Sequence, residues 1–271
     1  MPEISTSASS MLYYRKMGAG PVLVLLHGFP ENSTLWRNVW DKLSASYTLI
    51  IPDFPGSGNS SFKERLDMAD MATCVYNILI EENISRAVVA GHSMGGYAAL
   101  AFAARHPEMV AGLSLVHSTP VADDEEKRKT RIKSIEVIQK GGKRAFISQM
   151  VPNLFSTDSK EKLSTLIDNL IEEGVAMSDE SLINYYQAML GRQDHTASLE
   201  GFQFPVQWIL GTEDAIIPYK KILMFCTRSA INFVSFYRGC GHMSMYEAPE
   251  RLATDLDDFV KYCCYNQEEH E

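Results

Sequence analysis

The chain has 271 residues, 45% of them hydrophobic and 22% charged, enough for one large domain with a buried core and no low-complexity tract. Twenty-five basic against thirty-four acidic residues leave a formal charge of −9, which disfavours nucleic acid and anionic membrane as partners. The N-terminus has no basic segment followed by an apolar run, so no signal peptide is expected, and the longest apolar stretch, around Val22–Leu26, is too short to span a bilayer. Five cysteines, odd in number and without a CxxC pair, predict reduced thiols and a cytoplasmic setting.

In chain order, short apolar runs bounded by turn residues predict strands at Val22–Leu26, Thr48–Ile51, Ala87–Ala90 and Leu113–Val116. Helix-like stretches fall between and after them, at Leu35–Leu43, Met68–Glu81 and Ala98–Arg105. Such alternation predicts βαβ units and a parallel sheet. From Val121 to about Leu199 no strand is expected. Ile132, Ile135 and Ile138 recur at helical spacing before Gly141–Gly142, and a shorter helix holds Phe146, Ile147 and Met150. Leu163, Leu166, Ile167 and Leu170 predict another helix, stopped at Gly174, and Leu182 to Leu190 one more, opened by Ser178–Asp179 and closed by Gly191. The charged run Asp123–Arg131 reads as the solvated face of the first of these helices. Strands return at Val206–Leu210 and Ile231–Tyr237, and Arg251–Tyr262 closes as a helix. The organisation expected is therefore an α/β core of residues 1–119 and 201–271 carrying a helical lid, residues 120–200.

Gly91-His92-Ser93-Met94-Gly95 fits G-x-S-x-G, preceded by a strand and followed by a helix. A serine on so tight a turn is strained, and glycines two positions either side relieve the crowding. Ser93 is the predicted nucleophile, exposed at the carboxyl edge of the sheet and at the positive end of a helix. A serine hydroxyl needs a base, and the base an orienting carboxylate. Of seven histidines, His92 adjoins Ser93 with its side chain pointing away, and His27 flanks a turn and reads as structural. His106 ends a helix, His195 precedes the return from the insert, and His270 lies in a polar tail. His117 ends a strand where it can line a pocket. His242, in Gly239-Cys240-Gly241-His242-Met243 directly after the last strand, is the predicted base. The acid is expected after the preceding strand, in Gly211-Thr212-Glu213-Asp214. Asp214 is favoured, with Glu213 its solvated neighbour, and the order Ser93, Asp214, His242 follows. Oxyanion donors are expected from the backbone amides of Phe29, in His27-Gly28-Phe29-Pro30, and of Met94, since Pro30 has no N–H. The loop Asp53–Ser60 reads as structural.

With these segments in view the chain resembles the lidded α/β-hydrolase family over nearly its whole length. HGFP, DFPGSGNS, GHSMGG, LGTED and GCGH stand in that family's order and approximate spacing. HGFPENSTLW looks like epoxide hydrolases in particular, but that subgroup uses an aspartate where this chain has Ser93. What remains is similar to carboxylesterases, enol-lactonases, carbon–carbon bond hydrolases and cofactor-free perhydrolases, and to strigolactone-type receptors, which share the triad and a four-helix lid. The resemblance implies hydrolysis of a small ester or lactone through an acyl-enzyme, and Phe146, Met150, Phe155, Tyr185, Tyr186 and Met189 in the insert point to a small, apolar acyl substrate. No HExxH, P-loop or nucleotide-binding glycine pattern occurs, so neither a metal nor an organic cofactor is expected. A homo-oligomer is left open.

Overall fold

The computed structural model describes residues 3–5 and 11–265. Eight strands form one sheet in the order β1-β2-β4-β3-β5-β6-β7-β8. They are β1 (Glu3–Ser5), β2 (Met11–Met17), β3 (Val22–Leu26), β4 (Thr48–Pro52), β5 (Ala87–His92), β6 (Val110–Val116), β7 (Val206–Gly211) and β8 (Asn232–Tyr237). The strands from β4 through β8 pair in parallel, and β1 and β2 add an antiparallel edge. Every residue of β5, β6 and β7 is buried, as two-sided coverage by helices requires. The antiparallel pair β1–β2 is absent from the sequence reading. Its second strand, MLYYRKM, mixes buried tyrosines with Arg15 and Lys16 and so lacks the continuous apolar run that betrays the central strands.

The helices that flank the sheet are α1 (Arg37–Ser44), α2 (Met68–Glu81), α3 (Met94–Arg105) and a C-terminal helix, Pro249–Tyr265. Helix α2 opens with a reciprocal capping box between Asp67 and Asp70. Helix α3 is buried from Met94 to Ala103, which its run of Gly and Ala permits by letting it lie close to the strands on either side. The C-terminal helix packs on β6, where a side chain at Gly112 would collide with Cys263 and Phe259.

Between β6 and β7 the described chain is helical and contributes no strand: α4 (Glu125–Gln139), α5 (Lys143–Met150), α6 (Thr157–Lys162), α7 (Ser164–Ala176), α8 (Asp179–Leu190) and the single turn Ser198–Gly201. Two expectations need correction here. Gly174 lies inside α7 rather than beyond it. A side chain there would stand 3.0 Å from Ile147 and 3.3 Å from Pro30, so the glycine serves a close helix crossing and not a stop. The charged run that opens α4 is not wholly solvated. The Asp123 carboxylate is buried between two guanidinium groups, Arg131 Nε at 2.6 Å and Arg192 Nη1 at 2.8 Å, while Lys129 and Glu125 form the exposed i,i+4 pair expected of the outer face. Removing one partner from such a cluster leaves charge buried without compensation. Asp123→Ala is therefore expected to cost about 3–5 kcal/mol in urea unfolding. A loss below about 1 kcal/mol would mean that water screens the cluster.

The insert is tied to the core by directional bonds. Tyr185 on α8 donates to the Phe54 carbonyl at 3.1 Å, and Asn184 donates to that of Lys63 at 2.6 Å. No helix among the described residues is long and apolar enough to cross a membrane.

Candidate active site

Three loops at the carboxyl ends of β3, β5 and β8 meet at one place. The turn between β5 and α3 carries Ser93 at φ 50°, ψ −113°, a region that costs a non-glycine residue energy and persists only where the surroundings enforce it. They do so here through backbone bonds: the Ser93 amide donates to Val116 at 3.0 Å, and its carbonyl accepts from Gly96 N–H at 3.0 Å and from Ser118 Oγ at 2.8 Å. The glycines are explained by close approach. A Cβ on Gly91 would overlap the Gly95 carbonyl, and one on Gly95 would stand 2.5 Å from the carbonyl oxygens of Leu26 and His27. Ser93 itself is half-buried, between fully buried neighbours.

His242 and Asp214 come together from the loops after β8 and β7. His242 Nδ1 lies 2.7 Å from Asp214 Oδ2, and both side chains are buried. The other carboxylate oxygen of Asp214 accepts the amides of Ile216 at 2.9 Å and Ile217 at 2.8 Å. Burial alone would raise the Asp214 pKa, but the His242 and His117 imidazoles outweigh it and hold the carboxyl well below the usual carboxylate range. Glu213, the alternative acid, is exposed and turns the other way, accepting the Thr157 amide at 3.3 Å.

The loop after β3 carries Phe29, whose peptide bond to Pro30 is cis. Its ring lies 4.7 Å from that of Tyr186, so α8 packs directly over this loop. Met94 is the first residue of α3, which puts its amide at the helix N-terminus.

Sequence reasoning missed the group that joins the three loops. Glu31 is buried, with one carboxylate oxygen accepting the Gly28 amide at 3.0 Å and lying 3.1 Å from His92 Nδ1. His92 Nε2 donates to the His242 carbonyl at 2.9 Å. Both ring nitrogens of His92 thus face acceptors. Burial opposes the imidazolium, but the Glu31 charge prevails and the His92 pKa is raised. The residue before Ser93 therefore grips the loop of His242 and, through Glu31, the loop of Phe29. No periodicity reports such a pairing, because it joins residues 61 positions apart in one case and 150 in the other.

The remaining histidines sort by their contacts. His27 Nδ1 donates to the Gly28 carbonyl at 2.8 Å, and its Nε2 accepts the Phe54 amide at 3.0 Å. His106 stacks on Tyr76, and His195 meets Ser198 Oγ at 3.4 Å. His270 lies outside the described residues. His117 is fully buried and faces Asp214. The loop Asp53–Ser60 is held by its own carboxylate, Asp53 accepting the amides of Ser33 at 2.7 Å and Asn59 at 2.9 Å.

Beside the Asp214 loop opens a cavity of about 540 Å³. Val121, Ile216, Ile217 and Phe225 give it an apolar wall, Asp124, Glu126, Lys127, Arg192 and Lys221 add charge of both signs, and neither Ser93 nor His242 is among its lining residues.

Residues 21–249 match the family described as alpha/beta hydrolase fold, and the chain is a hydrolase belonging to that family. It is 29% identical over 256 residues to a pimeloyl-(acyl-carrier protein) methyl ester esterase of Yersinia pseudotuberculosis, covering 92% of this chain and 97% of the relative. It is 26% identical over 287 residues to a 2-hydroxy-6-oxononadienedioate/2-hydroxy-6-oxononatrienedioate hydrolase of Burkholderia vietnamiensis, covering 92% and 91%. Among solved structures, a thermophilic esterase from Thermogutta terrifontis superposes with a TM-score of 0.90 at 25% identity, covering 97% of this chain and 98% of that one.

Proposed function

We propose that the chain hydrolyses a small carboxylic ester or lactone through an acyl-enzyme, with Ser93 as nucleophile, His242 as base and Asp214 as acid. The observation that carries this reading is the buried 2.7 Å contact between His242 Nδ1 and Asp214 Oδ2, in a loop gripped by the residue next to Ser93. With Nδ1–H held by a carboxylate, Nε2 of His242 is the free acceptor for the Ser93 proton. The hydroxyl oxygen attacks the carbonyl, and the amides of Phe29 and Met94 hold the developing oxyanion. The imidazolium then protonates the leaving alcohol. Water, deprotonated by His242, releases the acid and restores the serine.

The helical insert, residues 120–200, serves in this reading as a lid that excludes water and shapes the substrate pocket. The five free cysteines fit a reducing, cytoplasmic compartment. Resemblance to an esterase of known structure and to a methyl ester esterase favours the ester over the carbon–carbon bond. A fluorophosphonate probe is expected to label Ser93, and p-nitrophenyl acetate to turn over. Absence of both labelling and turnover across a panel of short esters and lactones would overturn the proposal.

A further inference from the structure

His117 has no task in the chemistry above, yet it is among the most confined side chains in the molecule. It is fully buried at the end of β6, on a backbone with φ 49°, and neither ring nitrogen has a hydrogen-bond partner among the described residues. Its Nδ1 lies 3.4 Å from Asp214 Oδ2 without completing a hydrogen bond. A buried imidazole without partners is costly to keep and calls for an explanation. Each of these nitrogens can act as a donor or, through its lone pair, as a metal ligand.

One donor atom from each of His117, Asp214 and His242 lies within 4.8 Å of the others. Zinc binds imidazole nitrogen and carboxylate oxygen at about 2.0–2.2 Å in tetrahedral sets, which separates neighbouring donor atoms by about 3.3–3.5 Å. The 3.4 Å between His117 Nδ1 and Asp214 Oδ2 is already such an edge. The 2.7 Å between His242 Nδ1 and Asp214 Oδ2 must open by about 0.7 Å to match it, and the edge between His117 and His242, within 4.8 Å, must settle to the same length. Two imidazole nitrogens and a carboxylate suit a late first-row divalent ion, with water completing the shell.

We propose that His117, Asp214 and His242 form a binding site for a zinc-class divalent cation, and that its occupation switches hydrolysis off. The inhibitory half rests on the reading of His242 as base. When the metal takes Nδ1, the single proton of the neutral ring moves to Nε2. That nitrogen is then a donor and cannot accept the Ser93 proton. No proton is gained or lost by the ring, no redox step is involved, and chelation restores the original tautomer.

The test uses the full chain freed of metal by EDTA and dialysis. Adding Zn²⁺ at a hundredfold excess over its dissociation constant is expected to raise the thermal midpoint by about 5 °C or more. It is also expected to cut p-nitrophenyl acetate hydrolysis at least tenfold, with recovery on adding EDTA. Co²⁺ is expected to give the intense visible bands of a tetrahedral site at one equivalent. In His117→Gln the zinc response, taken as the ratio of rates with and without metal for that variant, is expected to fall at least tenfold in sensitivity. If that variant does not fold, Asp214→Asn removes the carboxylate ligand instead, and its melting shift is read in place of activity. Absence of binding by the wild type, an undiminished zinc response in the variant, or binding without inhibition would each overturn the proposal. If no ester is hydrolysed at all, the proposed function falls while melting and the Co²⁺ spectrum still decide the site.

Discussion

Ser93→Ala is expected to reduce ester hydrolysis by about 10³-fold or more while leaving the protein folded. The hydrogen bonds that hold residue 93 in its strained conformation are made by its backbone, to Val116, Gly96 and Ser118. Alanine keeps all three, and its methyl group meets the same φ penalty as the serine side chain. Only the Oγ is lost, the atom proposed to attack. The check is kcat/KM on p-nitrophenyl acetate beside a thermal unfolding curve. Near wild-type turnover in a folded variant would remove Ser93 from the mechanism.

Asp214→Asn should lower turnover by about 10⁴-fold, the scale of the corresponding change in another serine hydrolase. The asparagine oxygen can still accept the amides of Ile216 and Ile217, so the loop keeps its shape. Its amide nitrogen then faces His242 Nδ1, donor against donor. The ring escapes by moving its proton to Nε2, which is the wrong tautomer for accepting the Ser93 proton. Glu213→Gln should stay within about threefold of wild type, since an exposed side chain turned toward the Thr157 amide has no part in this exchange. Steady-state kinetics of the two variants side by side decide the matter. The reverse ranking would show Glu213 to be the acid.

Much of this architecture was legible before the structure. The central strands β3 to β7 announce themselves as uninterrupted apolar runs because both of their faces are covered. Segments 91–95, 211–214 and 239–243 announce themselves by turn chemistry, glycine being needed wherever backbones touch at the sheet edge. The strand β2 escaped because Arg15 and Lys16 interrupt its apolar pattern, and β1 because it is only three residues long. Asp123 was misread for a related reason. A carboxylate that opens a charged helix looks solvated until Arg192, nearly seventy residues later, folds back over it.

Residue type, spacing and local turn chemistry were enough for the fold class, for the helical character of the insert, and for naming Ser93, Asp214 and His242 as candidates, of which the structure pairs His242 with Asp214. Tertiary structure alone decided what surrounds them. The Glu31–His92 link, the imidazole of His117 against Asp214, and the divergence of Glu213 from its neighbour all join or separate groups across loops. The physical reason is a difference in range. Periodicity and glycine placement report how a residue meets its neighbours along the chain. The pairing of a buried charge or an orphaned imidazole is set by whichever distant loop closes over it, and that choice leaves no local trace.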